Sequence, residues 1–229
     1  MRRLAACPAF WHLAPMIAPS GYPIEPVIER LSAQPGIQKL PSPKLTLFTR
    51  KNFLEPELCA EVMALIDENR RPSLISDYNG DPVFRTSETC DLSSDLSATR
   101  EVDRRIAELV GLDPAHGEPL QGQRYEVGQE FKAHTDYFEP TGIDFEKFCS
   151  VAGQRTWTVM IYLNEVEAGG ATRFKAIDKI VQPETGKLLA WSNLRPDGTP
   201  NPTTLHHAMK VRAGLKYVIT KWFRERPWG

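Results

Sequence analysis

Apolar residues recur with a helical period in two stretches of the first half of the chain. The spacing i, i+4, i+7, i+8 places side chains on one face of a helix. The first stretch comprises Leu58, Val62, Leu65 and Ile66, and the second comprises Val102, Ile106, Leu109 and Val110. Pro56 suits the first turn of the first helix, and Gly111 suits the C-terminal cap of the second. We therefore predict two amphipathic helices, beginning near residues 56 and 97.

Beyond Gly122 the pattern changes to short apolar segments separated by turn residues. Together with an earlier segment at 44–48, strands are predicted at 123–127, 131–136, 156–163, 172–174, 179–182, 187–191, 205–211 and 217–223. A short helix is predicted at 145–149. Many short strands punctuated by glycine and proline are typical of a sandwich or barrel such as a jelly roll. We predict an α+β, mainly β fold with the N-terminal helices packed on one face of a sheet.

Prolines are dense ahead of the first predicted strand. They occupy positions 19, 23, 26, 35, 41 and 43. This density predicts a Pro-rich, poorly ordered N-terminal arm over residues 1–43, with at most a short helix at 27–31, and a folded domain over residues 44–229. The apolar stretch 4–18 looks like a signal sequence, but Pro8 and Pro15 interrupt it.

Composition narrows the functional classes. Of the 229 residues, 41% are hydrophobic and 25% are charged, as in an ordinary globular protein. The net charge of -1 gives no electrostatic reason to expect nucleic acid as a partner. The four cysteines lack paired spacing, which favours reduced thiols and a cytoplasmic location. No apolar stretch is long enough to predict a membrane span, and no pattern indicates an oligomeric state.

The candidate chemistry centres on His134 and Asp136, two residues apart on a predicted strand. Side chains at this spacing point to the same side of a strand, and His206 and His207 begin a later strand. Two imidazoles and one carboxylate form the facial triad that binds non-haem Fe(II). A His-x-Asp pair alone is common, and a hydrogen-bonded strand histidine is its simpler interpretation. The later histidines and Lys216, an ammonium group within an apolar run, favour a metal site with an anionic ligand.

Several motifs, in a fixed order along residues 44–225, resemble the 2-oxoglutarate- and Fe(II)-dependent oxygenases, and among them the prolyl 4-hydroxylase branch. The motifs are Arg85-Thr86-Ser87, Arg124 to Gln129, His134 to Phe138, Thr158 to Asn164, Glu167 to Phe174, Leu205 to Ala208, and the downstream Val211, Gly214, Lys216 and Thr220 to Trp222. Each motif is short, and their order and spacing carry the resemblance. It implies a double-stranded β-helix, or jelly-roll, core and an oxygenase domain over residues 44–229.

The resemblance also implies roles for individual residues. His134, Asp136 and His206 would bind Fe(II), and the family's spacing selects His206 over its neighbour. Lys216 would bind the distal carboxylate of 2-oxoglutarate. Further candidates are Tyr125 and Thr158 for the same cosubstrate, and Arg155, Trp222 and His207 for the substrate or for the surroundings of the metal. Ascorbate is implied as an accessory reductant.

The implied reaction hydroxylates a C–H bond while 2-oxoglutarate is converted to succinate and carbon dioxide. A prolyl residue in a peptide or protein is the first expected substrate. Phe131 and Thr135 depart from the residues common in the family at their positions, so another amino-acid side chain or a small metabolite stays open as the substrate. A non-catalytic jelly-roll module that binds a metal or a peptide is the third alternative, and the intact triad with Lys216 argues against it.

Overall fold

The structure is a computed structural model that describes residues 24–73, 84–142 and 144–228. Its helices are α1 (Ile24–Ala33), α2 (Pro56–Asn69), α3 (Ser97–Val110) and α4 (Phe145–Cys149). Its strands are β1 (Ile37–Lys39), β2 (Leu47–Arg50), β3 (Arg71–Pro72), β4 (Glu88–Asp91), β5 (Gln121–Tyr125), β6 (Phe131–His134), β7 (Arg155–Tyr162), β8 (Ala168–Gly169), β9 (Thr172–Phe174), β10 (Lys179–Val181), β11 (Leu188–Ser192), β12 (His206–Ala208), β13 (Val211–Ala213) and β14 (Lys216–Arg224).

The strands form antiparallel sheets that face each other. The described residues of the larger sheet give it eight strands in the order β1-β2-β11-β7-β14-β5-β4-β3, and a second sheet has the order β10-β9-β12-β6. Between the sheets lies an apolar cluster that includes Met160, Tyr162 and Trp191 from the larger sheet and Phe174 and Ala208 from the smaller one. Two sheets with a shared apolar interior confirm the predicted jelly-roll architecture.

The other face of the larger sheet is covered by helices. Val62 of α2 and Val102 of α3 are fully buried, in one cluster with Trp157 and Ile161 of β7. Gly111 ends α3 in the left-handed conformation, with φ of 71°, as its sequence position predicts. The N-terminal helices therefore pack on one sheet, as expected.

Strand β14 shows how the alternation of a strand divides the two interiors. Lys216, Val218, Thr220 and Trp222 line a cavity between the sheets. Tyr217, Ile219 and Phe223 belong to the cluster under the helices. One strand thus contributes both to the functional cavity and to the structural core.

The beginning of the folded domain differs from the prediction. The proline density predicts that residues 24–43 belong to the poorly ordered arm, yet they contain α1 and β1. Ile24, Val27 and Leu31 bury one face of α1, and Arg30 donates hydrogen bonds to the carbonyl of Glu108 near the end of α3, at 2.6 and 3.1 Å. The proline count hid an i, i+3, i+7 apolar pattern, so the boundary at residue 43 is too late. Residues 1–23 of the predicted arm lie outside the described residues.

Several short strands were not predicted, among them β4, which pairs with β5. They have two to four residues. Segments this short show no clear alternation of apolar and polar residues. Among the described helices, none combines the length and the apolar character needed to cross a membrane.

Candidate metal centre

Strands β6 and β12 bring the two candidate histidines together. They are antiparallel neighbours, and His134 is the direct cross-strand partner of His206. Asp136 follows two residues after His134, just past the end of β6. Its Oδ1 lies 3.8 Å from Nε2 of His134 and 4.0 Å from Nε2 of His206. In the described part of the chain these three residues are the group whose ligand atoms all lie within 4.8 Å of one another.

Backbone carbonyls fix which nitrogen of each imidazole is free. Nδ1 of His134 lies 2.8 Å from the carbonyl oxygen of Lys132, and Nδ1 of His206 lies 3.0 Å from that of Thr204. A carbonyl oxygen only accepts, so both Nδ1 atoms carry hydrogen, and in the neutral form of each ring the lone pair is on Nε2. The two lone pairs and the Asp136 carboxylate form a donor set suited to a divalent transition metal.

A buried hydrogen-bond chain orients Asp136. Thr158 donates its hydroxyl hydrogen to Oδ2 of Asp136 at 2.7 Å. Asn193 donates to the oxygen of Thr158 at 2.9 Å, and Trp191 donates to Asn193 at 3.1 Å. Because Oδ2 is held in this way, Oδ1 is the oxygen left for a metal.

The contact of Thr158 with 2-oxoglutarate stays a prediction, and the hydrogen bonds of its hydroxyl run to Asp136 and Asn193. Its hydrogen is used on Asp136, and its oxygen already accepts from Asn193. The cavity is lined by the next inward residue of β7, Met160. Thr158 therefore acts on the carboxylate of Asp136.

The protonation states of the centre suit cation binding. Burial and the nearby His206 lower the pKa of His134 to about 3, so this imidazole is neutral near pH 7. Burial opposes ionisation of Asp136, but the neighbouring histidines and Arg155 outweigh it and keep the pKa of this carboxyl below its ordinary value. A neutral imidazole and an ionised carboxylate are the forms that bind a metal.

Lys216 lies deep in the same cavity. Its side chain is only 1% exposed, and its Nζ has no hydrogen-bond partner among the residues described. The Nζ lies 4.9 Å from the ring centre of Tyr125 and 5.5 Å from that of Tyr162. Burial lowers the pKa of Lys216 to about 7. A buried ammonium group without an anionic partner fits a site for a carboxylate ligand.

The cavity that joins Lys216 to the metal ligands encloses about 420 Å³ of empty space, part of it open to solvent. Tyr125 lines the cavity, with its hydroxyl donating to Gln123 at 2.9 Å. Gly170, in the left-handed conformation with φ of 69°, approaches the Lys216 stem so closely that an added Cβ would lie 3.3 Å from Cδ. Gly170 thus leaves room for the lysine.

A larger cleft, with about 1310 Å³ of empty space that is partly open to solvent, adjoins the metal ligands. His134, Asp136, Arg85, Phe131 and Trp222 line both the cavity and the cleft. Trp222 therefore lies beside the centre, where it was predicted. Lys216 lines the cavity and is not among the residues that line the cleft, so a molecule in the cleft would meet the metal ligands without lying against Lys216.

Arg155 lines the cleft between two aromatic rings. Its guanidinium carbon lies 3.9 Å from the ring centre of Trp222 and 5.0 Å from that of Phe138. Glu118 accepts from Nε and Nη2 at 2.6 and 2.8 Å, and Nη1 lies 3.4 Å from the backbone oxygen of Asp136. All three guanidinium nitrogens thus donate hydrogen bonds within the protein, and Nη1 donates to the metal-binding segment.

His207 points away from the metal ligands. Its Nε2 lies 3.0 Å from Oε2 of Glu130, and it is absent from the cluster of ligand atoms described above. Adjacent residues of a strand face opposite sides, which explains why His206 takes the inward position and His207 the outward one.

Sequence reasoning missed several residues around the centre. Glu118, Gln123 and Asn193 are buried polar residues that hydrogen-bond to Arg155, Tyr125 and Thr158. Glu118 lies 37 positions before Arg155, and Asn193 lies 35 positions after Thr158. No local spacing therefore identifies either residue. Only Gln123, two residues before Tyr125 on β5, could have been found from strand alternation.

A family model described as 2OG-Fe(II) oxygenase superfamily matches residues 120–224. Probable prolyl 4-hydroxylase 9 of Arabidopsis thaliana is 30% identical over 198 residues, which cover 76% of this chain and 67% of that protein. Probable prolyl 4-hydroxylase 3 of the same plant is 32% identical over 199 residues, 76% of this chain and 68% of that protein.

Among solved structures, the viral collagen prolyl hydroxylase of Paramecium Bursaria Chlorella virus-1, in its 2OG complex, superposes with a TM-score of 0.61 at 21% identity. The superposition covers 78% of this chain and 94% of the viral one. At that identity the likeness concerns the fold, and it agrees with the jelly-roll architecture described above.

Proposed function

This chain belongs to the prolyl 4-hydroxylase family of 2OG-Fe(II) oxygenases, and from that premise we propose that it hydroxylates prolyl residues in a peptide or protein. The observation that carries the proposal is the pair of ligand sites in one cavity. Two free imidazole Nε2 atoms and Oδ1 of Asp136 converge within 4.8 Å, and the partnerless ammonium group of Lys216 lines the same cavity. The donor set fits Fe(II), and the ammonium group fits a carboxylate of 2-oxoglutarate.

We assign His134, Asp136 and His206 to Fe(II) and Lys216 to the distal carboxylate of 2-oxoglutarate. When bound, Fe(II) and 2-oxoglutarate together activate dioxygen, so that one oxygen atom enters a C–H bond and the other enters succinate. The protein's own contribution is to bind and orient the reactants. Thr158 holds Asp136 with Oδ1 toward the metal, and the cavity walls exclude water from the buried end of the cosubstrate.

The cleft suits a proline-containing segment. Aromatic side chains dominate its wall: Phe84, Phe131, Tyr137, Phe138, Phe145 and Trp222. Proline-rich segments adopt an extended helix that binds grooves lined by aromatic rings. Because His134 and Asp136 line the same cleft, a prolyl ring on this wall would lie next to the metal.

We also propose a cytoplasmic location, and ascorbate as an accessory reductant. For the location, Cys59, Cys90 and Cys149 are free and buried, which suits a reducing compartment. The reductant is proposed from family membership alone.

The test incubates the full chain with Fe(II), 2-oxoglutarate and a panel of proline-containing peptides. Succinate release and a mass gain of one oxygen on proline are the expected results. His206→Ala should abolish both, whereas His207→Ala, its outward-facing neighbour, should retain most of the activity. Peptide-independent succinate release, with no peptide in the panel gaining oxygen, would contradict the prolyl assignment. Equal activity of the two histidine variants would contradict the ligand assignment.

A further inference from the structure

A second cation lies near the metal ligands, and none of the described carboxylates lies within ion-pair distance of it. Arg85 lines both the cavity and the cleft, and its guanidinium stacks 4.8 Å from the ring centre of Phe131. Phe131 in turn stacks on His134, with ring centres 3.5 Å apart and planes at 14°. Arg85 is therefore held one ring away from a metal ligand.

The hydrogen-bond partners of Arg85 are neutral. Its Nη2 donates to Oε1 of Gln121 at 3.0 Å and lies 3.5 Å from the hydroxyl of Thr89, and its Nε donates to Ser87 at 3.3 Å. Throughout residues 24–73, 84–142 and 144–228, no carboxylate forms an ion pair with Arg85, and its Nη1 donates no hydrogen bond. Neutral acceptors offset only part of the cost of enclosing a cation, so the structure holds this guanidinium ready for an anion.

The charges around Arg85 are mixed, because the cleft is lined by Arg85 and Arg155 and by the carboxylates of Asp136, Glu139 and Asp144. Arg155 pairs with Glu118, and the same carboxylate also lies 3.3 Å from Nη1 of the buried Arg224. Two guanidinium groups thus share one carboxylate, and Arg85 adds a further positive charge. Glu139 and Asp144, on the loop before α4, are the acidic residues that line the cleft besides Asp136. Glu139 is exposed, so water screens its charge.

Lys216 shows the same combination of burial and missing anion, and 2-oxoglutarate accounts for it. The cosubstrate does not account for Arg85, which the stack on Phe131 also places on the cleft wall. Since none of the carboxylates in the described ranges pairs with Arg85, a molecule in the cleft can supply the anion. A carboxylate can take two parallel hydrogen bonds from a guanidinium, stronger than those of a neutral carbonyl.

We propose that the substrate carries a carboxylate group next to the prolyl residue that is hydroxylated, and that Arg85 binds this carboxylate. This inference rests on the proposed prolyl hydroxylation and names the peptide class within it. The carboxylate has two sources, the side chain of an adjacent aspartate or glutamate and the C-terminus of a chain that ends beside the proline. Arg85 is separated from His134 by the single ring of Phe131, so we place the carboxylate within about one residue, some 3.5 Å of extended chain, of the reacting ring.

The test compares peptides that differ only next to a single proline. Glutamate, glutamine or lysine is placed before or after the proline in otherwise identical peptides with blocked ends. One further peptide ends in a free carboxylate directly after proline. The measured quantity is kcat/KM from the mass gain of one oxygen. We expect one carboxylate-bearing peptide to exceed its glutamine counterpart by about tenfold or more, as a charge-assisted pair predicts, and lysine to be the poorest.

Variants of Arg85 then test whether its guanidinium group binds the substrate carboxylate. Arg85→Met should bring the carboxylate and glutamine peptides to parity, and Arg85→Lys should restore part of the preference. Arg104→Gln is the matched control, because Arg104 is exposed on α3 and pairs with Glu101 and Glu108. It should keep the full preference. The preference of the unaltered enzyme should also shrink at 1 M salt, which tests the charge effect without any substitution.

Several results would overturn the inference. If the unaltered enzyme has the same kcat/KM for carboxylate and glutamine peptides at every position, or a higher value for lysine peptides, the cleft does not bind a substrate carboxylate. If Arg85→Met raises KM for 2-oxoglutarate and keeps the peptide preference, Arg85 serves the cosubstrate instead. In these cases prolyl hydroxylation itself still stands. It fails only if no peptide of any charge gains oxygen.

Discussion

At the residue scale, the site depends on what each polar side chain lacks as much as on what it contacts. His134 and His206 each use Nδ1 on a backbone carbonyl, so one nitrogen per ring stays available. Lys216 has no partner in the described structure, and Thr158 has nearly all its hydrogen-bonding capacity in use. We therefore assign the side chains with a free nitrogen, His134, His206 and Lys216, to ligand binding. We assign Thr158, whose hydroxyl is hydrogen-bonded within the protein, to holding Asp136 in place.

Replacing Lys216 by methionine should separate binding from stability. The apoprotein should become more stable, because a buried, unpaired ammonium group is replaced by an apolar chain of similar length. Affinity for 2-oxoglutarate should fall by about 100-fold, since a charge-assisted contact to a carboxylate is lost. Thermal unfolding with and without 2-oxoglutarate and Mn(II) measures both effects. A destabilised apoprotein that still binds the cosubstrate normally would refute the assigned role.

The affinity for 2-oxoglutarate should also depend on pH through Lys216. Its pKa is about 7 in the free protein, below the ordinary 10.5, because of burial. The dianion binds the charged ammonium form, so affinity should be highest below pH 7 and should decline as the pH rises above it, by up to about tenfold per pH unit. Isothermal titration between pH 6 and 9 measures this dependence. Lys216→Met should show a flat profile over the same range.

Loss of the Thr158 hydroxyl should weaken the metal centre without unfolding the protein. Thr158→Val removes the hydrogen bond to Asp136, and we expect metal affinity to fall by about 10- to 100-fold. The matched control is Thr156→Val on the same strand, because the Thr156 hydroxyl donates to the backbone of Phe223 instead. The control should lose stability and keep its metal affinity. Competition with a coloured chelator supplies the affinities.

At the scale of elements, two pairings build the centre. Cross-strand pairing of β6 and β12 places the histidines opposite each other, and pairing of β14 with β5 places Lys216 opposite Tyr125. Gly214, with φ of 78°, turns the chain between β13 and β14, as the Ala213-Gly214 dipeptide indicates. Each ligand thus lies at the end of a strand whose register the buried faces fix.

Helix α1 should behave as part of the folded domain. Leu31 is fully buried in the core, so Leu31→Ala should lower the free energy of unfolding by about 2–5 kcal/mol. Glu29→Ala, on the exposed face of the same helix, should change it by less than about 0.5 kcal/mol. Urea denaturation of both variants makes the comparison. Equal free energies of unfolding for the two variants would show that α1 does not contribute to the folded core.

At the scale of the whole molecule, the larger sheet separates two functions. Helices cover one face and form the main apolar core. The other face, together with the smaller sheet, encloses the cavity and its polar groups. Polar residues such as Gln123 and Thr220 therefore lie inside the protein on the cavity side. On this side the buried residues serve ligand binding more than the stability of the fold.

Metal removal should therefore reduce global stability. Mn(II) and 2-oxoglutarate together at about 100 times their dissociation constants should stabilise the protein by roughly 3 kcal/mol or more, which corresponds to a rise of about 6–12 °C in Tm for a domain of this size. A chelator should reverse the rise. Asp136→Ala should show no rise at any ligand concentration, and a rise of the same size in that variant would place the metal elsewhere.

The sequence alone determined the helices α2 and α3, most of the longer strands and the candidate triad. These features follow from local periodicity and, for the triad, from short motifs that resemble a known family. His206 rather than His207 followed from that spacing, and strand alternation gives its physical basis.

Only the tertiary structure decided which groups complete the site. Glu118 reaches Arg155 across 37 positions of the chain, and Asn193 reaches Thr158 across 35. The neutral surroundings of Arg85 and the packing of α1 against α3 are likewise visible only in the folded chain. Hydrogen-bond satisfaction depends on which groups the fold brings within about 3 Å, and sequence spacing does not record that distance.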